Sequence, residues 1–167
     1  RLRDLTRPPT GNDTLRDFLG DGRSLIAPKM AERALAEGGR FAIVNVWRNI
    51  ASEPVATNPL ALCDAQSVDP QDLVVFEIHY QDRVGENYFA SHSPRHRWFY
   101  YPAITRDEAL LIKQWDSAGP MAQSRGSKSD ALDPLAPCTF SFHSAFEDPS
   151  TPPDAPDPPT PIEEWEA

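Results

Sequence analysis

The strongest pattern along the chain lies at residues 40–50, RFAIVNVWRNI, where Phe41, Ile43, Val44, Val46 and Trp47 make a nearly continuous apolar run. β-Branched and aromatic side chains pack well on a pleated surface, so this run predicts a strand, with Asn45 on its polar face and Arg48 leaving its end. Residues 73–80, LVVFEIHY, predict a second strong strand. The DRVGENY stretch after it predicts a turn at Gly85 and a returning strand over residues 87–90, hence an antiparallel pair. Residues 58–65 predict a turn and a short strand, with Cys63 as a small buried hydrophobe. An aromatic strand is expected at residues 97–102, RWFYYP, and another strand at residues 109–115, ALLIKQW, where the short length favours strand over helix. Residues 139–149, TFSFHSAFEDP, alternate aromatic and polar positions. That pattern puts Ser141 and His143 on one face of a half-buried strand and Phe140 and Phe142 on the other.

Helical spacing is confined to the N-terminal part. Asp13 or Thr14 can cap a short turn through Leu19. Ser24 precedes Leu25, Ile26, Met30, Ala34 and Leu35 at near-helical intervals, and Gly38-Gly39 ends that run. Met30 and Leu35 are expected in the core. Residues 1–12 are polar and broken by Pro8, Pro9 and Gly11, which leaves residues 2–6 to pair as a strand. Residues 117–137 carry turn formers without a period and predict a long loop. Residues 149–161 are proline-rich and acidic, an extended surface tail. Many short strands with few helices predict a mostly β barrel or sandwich with an N-terminal helical layer, one domain over residues 1–167.

Composition acts on this picture by exclusion. Sixteen Lys and Arg against 25 Asp and Glu give a net charge of −9, which argues against nucleic acid and anionic membranes as partners, because phosphates need a basic surface. No apolar run approaches the ~18 residues of a membrane span. The N-terminus lacks the order of a signal peptide, so a cytoplasmic location is expected. Cys63 and Cys138 make neither a disulfide framework nor a zinc motif. Residues 119–128, GPMAQSRGSK, do not have the spacing of a phosphate loop, and no Gly-x-Ser-x-Gly elbow is present. Ser144 adjoins His143, but strand neighbours point to opposite faces, which makes them a poor nucleophile and base pair. His92 and His96 are four apart with Pro94 between them, which breaks the helical geometry two ligands would need. Acids beside apolar strands are Asp4, Asp64, Glu86 and Asp116. Two histidines and a carboxylate facing inward from different strands suit iron(II), with open positions left for a co-substrate and oxygen. Spacing alone leaves His143 between a metal ligand and a hydrogen-bonded strand histidine.

Several stretches occur in a recognisable order. They are Asn45-Val46-Trp47-Arg48, Pro59-Leu60-Ala61-Leu62-Cys63-Asp64-Ala65 with Ser67-Val68, Asp72-Leu73-Val74, and Asp82-Arg83-Val84-Gly85-Glu86. His96-Arg97-Trp98-Phe99-Tyr100-Tyr101, Asp107-Glu108-Ala109-Leu110-Leu111-Ile112-Lys113, Asp116-Ser117 and His143-Ser144-Ala145-Phe146-Glu147-Asp148-Pro149 follow. As a set they resemble the hydroxylase/desaturase family of fungal and bacterial secondary metabolism, with its AsaB-like, CmcJ-like and gibberellin-desaturase-like members. The resemblance implies a double-stranded β-helix, the cupin-like jelly roll. It also implies non-heme Fe(II) and 2-oxoglutarate as cofactors, and hydroxylation or desaturation of a small-molecule metabolite. Its metal ligands are an early His-x-Asp pair and a late histidine. The late histidine falls on His143 and the early carboxylate on Asp4, whereas Leu2 stands where the early histidine is expected. The family's arginine for the co-substrate carboxylate has no counterpart in residues 158–165. These departures mark a divergent or truncated member and support a second reading, an inactive β-barrel remnant that binds a small molecule or a protein. Arg48, Trp47, Arg97, Trp98 and Tyr100 are the candidates for a substrate pocket.

Overall fold

The structure, a computed structural model, describes residues 2–7, 24–80, 84–123, 128–133, 135–152 and 155. Its strands are β1 (Ala42–Trp47), β2 (Leu60–Cys63), β3 (Leu73–His79), β4 (Val84–Ala90), β5 (Trp98–Tyr100), β6 (Leu110–Asp116) and β7 (His143–Ala145). Two helices, α1 (Pro28–Leu35) and α2 (Pro120–Gln123), and short 3-10 turns complete the described elements. Each strand overlaps a stretch predicted to form one, so the mostly β reading holds. The chain divides into two compact units, Arg1–Phe41 with Val75–Tyr88, and Ala42–Val74 with Phe89–Ala167.

In the first unit, Pro28 opens α1, because its fixed φ suits the first turn and its missing N–H needs no partner there. The helix ends at Leu35, with Ala36 as an extended cap, a short turn before the predicted Gly38-Gly39. Gly38 takes φ 74°, the left-handed conformation that favours glycine. A Cβ on Gly39 would sit 2.5 Å from the Arg33 carbonyl oxygen. Met30 and Leu35 are not in the core as expected, being 64% and 42% exposed. This two-turn helix turns its alanines inward instead, with Ala31 buried and Ala34 half-buried three residues on. Residues 2–6 do not form a strand either. Asp4–Thr6 coil into a 3-10 turn in which the Thr6 N–H and hydroxyl both donate to the Arg3 carbonyl, at 3.2 and 2.7 Å. A threonine hydroxyl that bonds back to its own backbone competes with strand pairing. The turn predicted at residues 13–19 lies outside the described residues. β3 and β4 pair with each other, and Gly85 stands inside β4, not at the turn before it.

The second unit contains two sheets. β1 pairs antiparallel with β6, Val46 opposite Leu111 and Trp47 opposite Leu110, with an irregularity between Ile43 and Val44. The other sheet has the order β5-β2-β7. Ile104, with Leu110 and Ile112 of β6, forms a buried cluster in this unit, and Trp47, Val55, Leu60 and Leu62 pack against it. Each such side chain contributes roughly 1.5–3 kcal/mol when fully removed from water.

One segment joins both sheets. The Asp116 N–H donates to the Thr139 carbonyl at 2.7 Å and the Ser141 N–H to the Lys113 carbonyl at 3.0 Å, which ties residues 139–141 to β6. The Cys63 N–H then donates to the Phe142 carbonyl at 2.8 Å and the Phe146 N–H to the Pro59 carbonyl at 3.3 Å, so the same segment continues along β2. Phe140 stacks on Trp115 with ring centroids 6.2 Å apart, and Phe142 meets Phe140 edge-on at 5.3 Å.

Residues 117–137, predicted as a long loop, include α2 and a 3-10 turn at Asp130–Leu132, and they are held from inside. Asp130 accepts the Thr139 N–H and hydroxyl, each at 2.9 Å, and the Met121 N–H reaches the Thr139 hydroxyl oxygen at 3.1 Å. Thr139, Asp116 and Asp130 are 0, 1 and 3% exposed. Burial pushes the Asp130 carboxyl above its ordinary value, against the bonds from Thr139 that favour its charge. Gly119 is the close-approach point of this knot: a Cβ there would lie 2.2 Å from the Thr139 hydroxyl oxygen and 2.5 Å from its Cα. Gly119→Ala is therefore expected to destabilise the protein by roughly 1–3 kcal/mol, the usual cost of overpacking, read as a lower urea midpoint. An unchanged midpoint would show that the two backbones separate freely.

Candidate functional site

His143 is placed by β2. Leu62 pairs with His143, Ala61 with Ser144 and Leu60 with Ala145. On the other edge of β2, Leu62 pairs with Phe99, Ala61 with Tyr100 and Cys63 with Trp98. Directly opposed residues share a face, so His143, Leu62 and Phe99 make one row and Ser144, Ala61 and Tyr100 the next row on the opposite face. Leu60 and Leu62, half-buried, pack against Ile104, Leu110 and Ile112, and His143 lies on their face, opposite the buried Ala61 and Cys63. Its ring is nevertheless exposed, with Nδ1 3.3 Å from the Ser141 carbonyl oxygen. A carbonyl only accepts, so this contact puts a proton on Nδ1 and leaves the Nε2 lone pair to bind a metal or a further proton.

Of the predicted pocket residues, Trp47 packs on the same core as Leu60 and Leu62. Arg48 is exposed just beyond β1. Arg97 is engaged by Asp64, its Nε 3.2 Å from Oδ2, and its backbone N–H donates to the Ser67 hydroxyl at 3.0 Å. The guanidinium holds the Asp64 carboxyl below its ordinary range. Trp98 and Tyr100 stand on the face opposite His143. The Tyr100 hydroxyl donates to Asp148 Oδ2 at 3.0 Å, and its ring meets Phe146 edge-on at 5.0 Å. Cys63, 3% exposed, behaves as the buried hydrophobe expected, with burial pushing its thiol up.

Asp4 opens the 3-10 turn of the first unit, and Leu2 beside it is 8% exposed. A leucine has no donor atom. Among the described residues, no group of three or more His, Cys, Asp or Glu could hold a metal ion.

A family model described as an oxidoreductase/YMDC permease-like domain matches residues 22–159. The chain belongs to this oxidoreductase family. Several relatives carry the hydroxylase/desaturase name expected from the ordered motifs. Hydroxylase/desaturase AsaB of Aspergillus flavus is 31% identical over 125 residues, 67% of this chain and 48% of that protein. Aspirochlorine biosynthesis protein N of Aspergillus oryzae is 34% identical over 132 residues, 77% of this chain and 48% of that protein. The solved structure of the iron and alpha-ketoglutarate-dependent endoperoxidase NvfI superimposes with a TM-score of 0.58 at 27% identity, covering 91% of this chain and 47% of that one. The fold class is accordingly the cupin-like jelly roll. The chain spans less than half the length of these relatives.

One arrangement in this chain is not visible as a site in the sequence. His96, its side chain 5% exposed, places Nε2 3.0 Å from Asp72 Oδ2. Asp72 also accepts the Asp69 N–H at 3.1 Å, closing a capping box around Pro70, and lies 3.5 Å from Arg95. His96 is thus occupied by a carboxylate 24 positions earlier in the chain and does not work with His92. The one local signal was Asp-Pro-Gln-Asp, a capping-box spacing. The Asp69 N–H, followed by His96 and Arg95, holds the Asp72 carboxyl below its ordinary value, against a partial desolvation. A folded value below the unfolded one of about 3.9 means stability that is present above about pH 4 and lost as pH falls through the folded value. Asp72→Asn should lower the urea midpoint at neutral pH, with the gap to wild type closing in acid. A gap of constant size across that range would contradict the assignment.

Proposed function

We propose that the chain carries the late histidine ligand of an Fe(II) and 2-oxoglutarate-dependent hydroxylase or desaturase that acts on a small molecule of secondary metabolism. The observation behind this reading is His143 on β7, on the face of Leu60 and Leu62, with Nδ1 directed at the Ser141 carbonyl and Nε2 left as the donor. Membership of an oxidoreductase family, and likeness to a protein titled as iron and alpha-ketoglutarate-dependent, support it. Asp4 is the proposed carboxylate partner. Arg48, Trp47 and Arg97 remain the proposed neighbours of the substrate, with Trp47 packed on the same cluster as Leu60 and Leu62, whereas Trp98 and Tyr100, expected in the pocket, lie on the face away from His143 and are not proposed to line it. A cytoplasmic protein with a metabolite partner, and neither nucleic acid nor membrane, fits the net charge of −9. No helix among the described residues is long and apolar enough to cross a membrane.

The described donors do not complete an iron centre. One imidazole and a leucine in place of a second leave too few ligands, so no step of oxidation is assigned to these residues. That shortage favours a second reading, in which the chain binds a small molecule or a protein without turnover. Anaerobic titration with Fe(II) and 2-oxoglutarate separates the two, followed through the weak visible charge-transfer band. Leu2→His should strengthen the band, and His143→Ala in that background should abolish it. A band untouched by His143→Ala overturns the role of His143, and no band in either the wild type or Leu2→His leaves the non-catalytic reading.

A further inference from the structure

Asp130 is a buried carboxylate that none of the site residues above requires. Its two oxygens hold the N–H and hydroxyl of Thr139, the residue at which the crossing segment begins. From there the segment bonds first to β6, through Thr139 and Ser141, and then to β2, through Phe142 and Phe146. His143 falls just after the change of partner.

What fixes its position there is not local burial. All three residues of β7 are exposed, so no hydrophobic pattern within the strand sets its register. The rings of Phe140 and Phe142 exclude a slip by one residue, which would turn them to the opposite face. They tolerate a slip by two, which seats one phenylalanine where the other was and brings Ser141 or Ala145 opposite Leu62 in place of His143. Thr139 has no such double. It is the fully buried residue of the segment, its carbonyl receives the Asp116 N–H, its hydroxyl receives the Met121 N–H, and Gly119 leaves no space for movement beside it.

We propose that Asp130 is a positioning residue for His143: by holding Thr139 from both oxygens it pins the register in which residues 139–146 cross from β6 to β2, and so places the imidazole opposite Leu62. The consequence for metal binding rests on the reading of His143 as a ligand, whereas the register does not. Asp130 lies in the stretch predicted as a long loop, which thereby acquires a task in the site.

Nuclear magnetic resonance of the full chain tests this. Wild type should show cross-strand proton contacts between His143 and Leu62, and slow amide exchange at Cys63 and Phe146. In Asp130→Ala the contact should be lost or shared with Ser141 or Ala145, and exchange at those two amides should rise about tenfold, the equivalent of one buried hydrogen bond. Asp130→Asn keeps an acceptor for the Thr139 N–H but sets an amide donor against the donating hydroxyl, so it should restore both signals in part, between wild type and Asp130→Ala. If Asp130→Ala does not fold, Thr139→Val removes the hydroxyl alone and should give a smaller rise at the same amides. Preserved His143–Leu62 contacts with unchanged exchange at Cys63 and Phe146 in Asp130→Ala, or in Thr139→Val where Asp130→Ala does not fold, or an exchange increase spread evenly over β1 and β6, would overturn the proposal. A shifted register together with Fe(II) binding indifferent to His143→Ala would support the positioning role and sink the ligand reading alone.

Discussion

The second unit depends on one polypeptide segment making hydrogen bonds to two sheets in succession. Residues 139–141 satisfy the edge of β6, and residues 142–146 satisfy the edge of β2. Buried backbone groups have to be paired, and an unpaired sheet edge is costly, so the same few residues discharge that requirement for both ladders. The point of transfer carries most of the buried polar chemistry: Thr139, Asp116 and Asp130 are the least exposed polar groups described. The buried cluster of Ile104, Leu110 and Ile112 is small and most other buried apolar side chains of the unit, among them Ala61, Cys63, Ala65 and Val68, are small too, which gives the polar knot a share in specifying a single arrangement.

The parts of the fold legible in the sequence were those with a local period. β1, β3, β5 and β6 follow from runs of β-branched and aromatic residues, and the facing of Phe140 and Phe142 against His143 follows from alternation alone. Where side chains bond to their own backbone, the period misled. Thr6 closes a turn onto Arg3 where a strand was expected, and the near-helical spacing of Met30 and Leu35 gave no indication that alanines would carry the buried stripe. Gly85 looked like a turn because glycine usually marks one, yet the strand passes through it.

The site was legible only in part, and for a physical reason. A strand histidine can be assigned to a face from two-residue periodicity, but its partners come from elements far away in sequence, and periodicity carries no such distance information. His96 shows the same limit, since its carboxylate lies 24 residues earlier and no spacing rule connects them. Resemblance supplied what periodicity lacked, the order of motifs, and the family match bears it out. It also pointed to Leu2 as the position where the donor set falls short.

The carboxylates of this acidic chain divide by environment, and the division separates anchoring from positioning. Asp64 and Asp72 sit at the surface of the second unit beside Arg97, Arg95 and His96, and their carboxyls are held low, so their contribution is present above the unfolded value and fades in acid. Asp130 is enclosed and its carboxyl is pushed up, so its contribution has the opposite sign. The folded form binds that proton more tightly, and the stability so gained is full below the unfolded value and lost as pH rises through the folded one. Thr139 presents two donors, its N–H and its hydroxyl, and its hydroxyl oxygen already accepts the Met121 N–H, so the two acceptor oxygens of Asp suit it where the amide of Asn, with one acceptor and one donor, does not match both. The cost of burying that charge remains. Lys113, which attracts Asp130 and lies 3.3 Å from Asp116, offers the compensation, since a cation on β6 between two buried acids ties the charge of the loop to the strand that the crossing segment leaves.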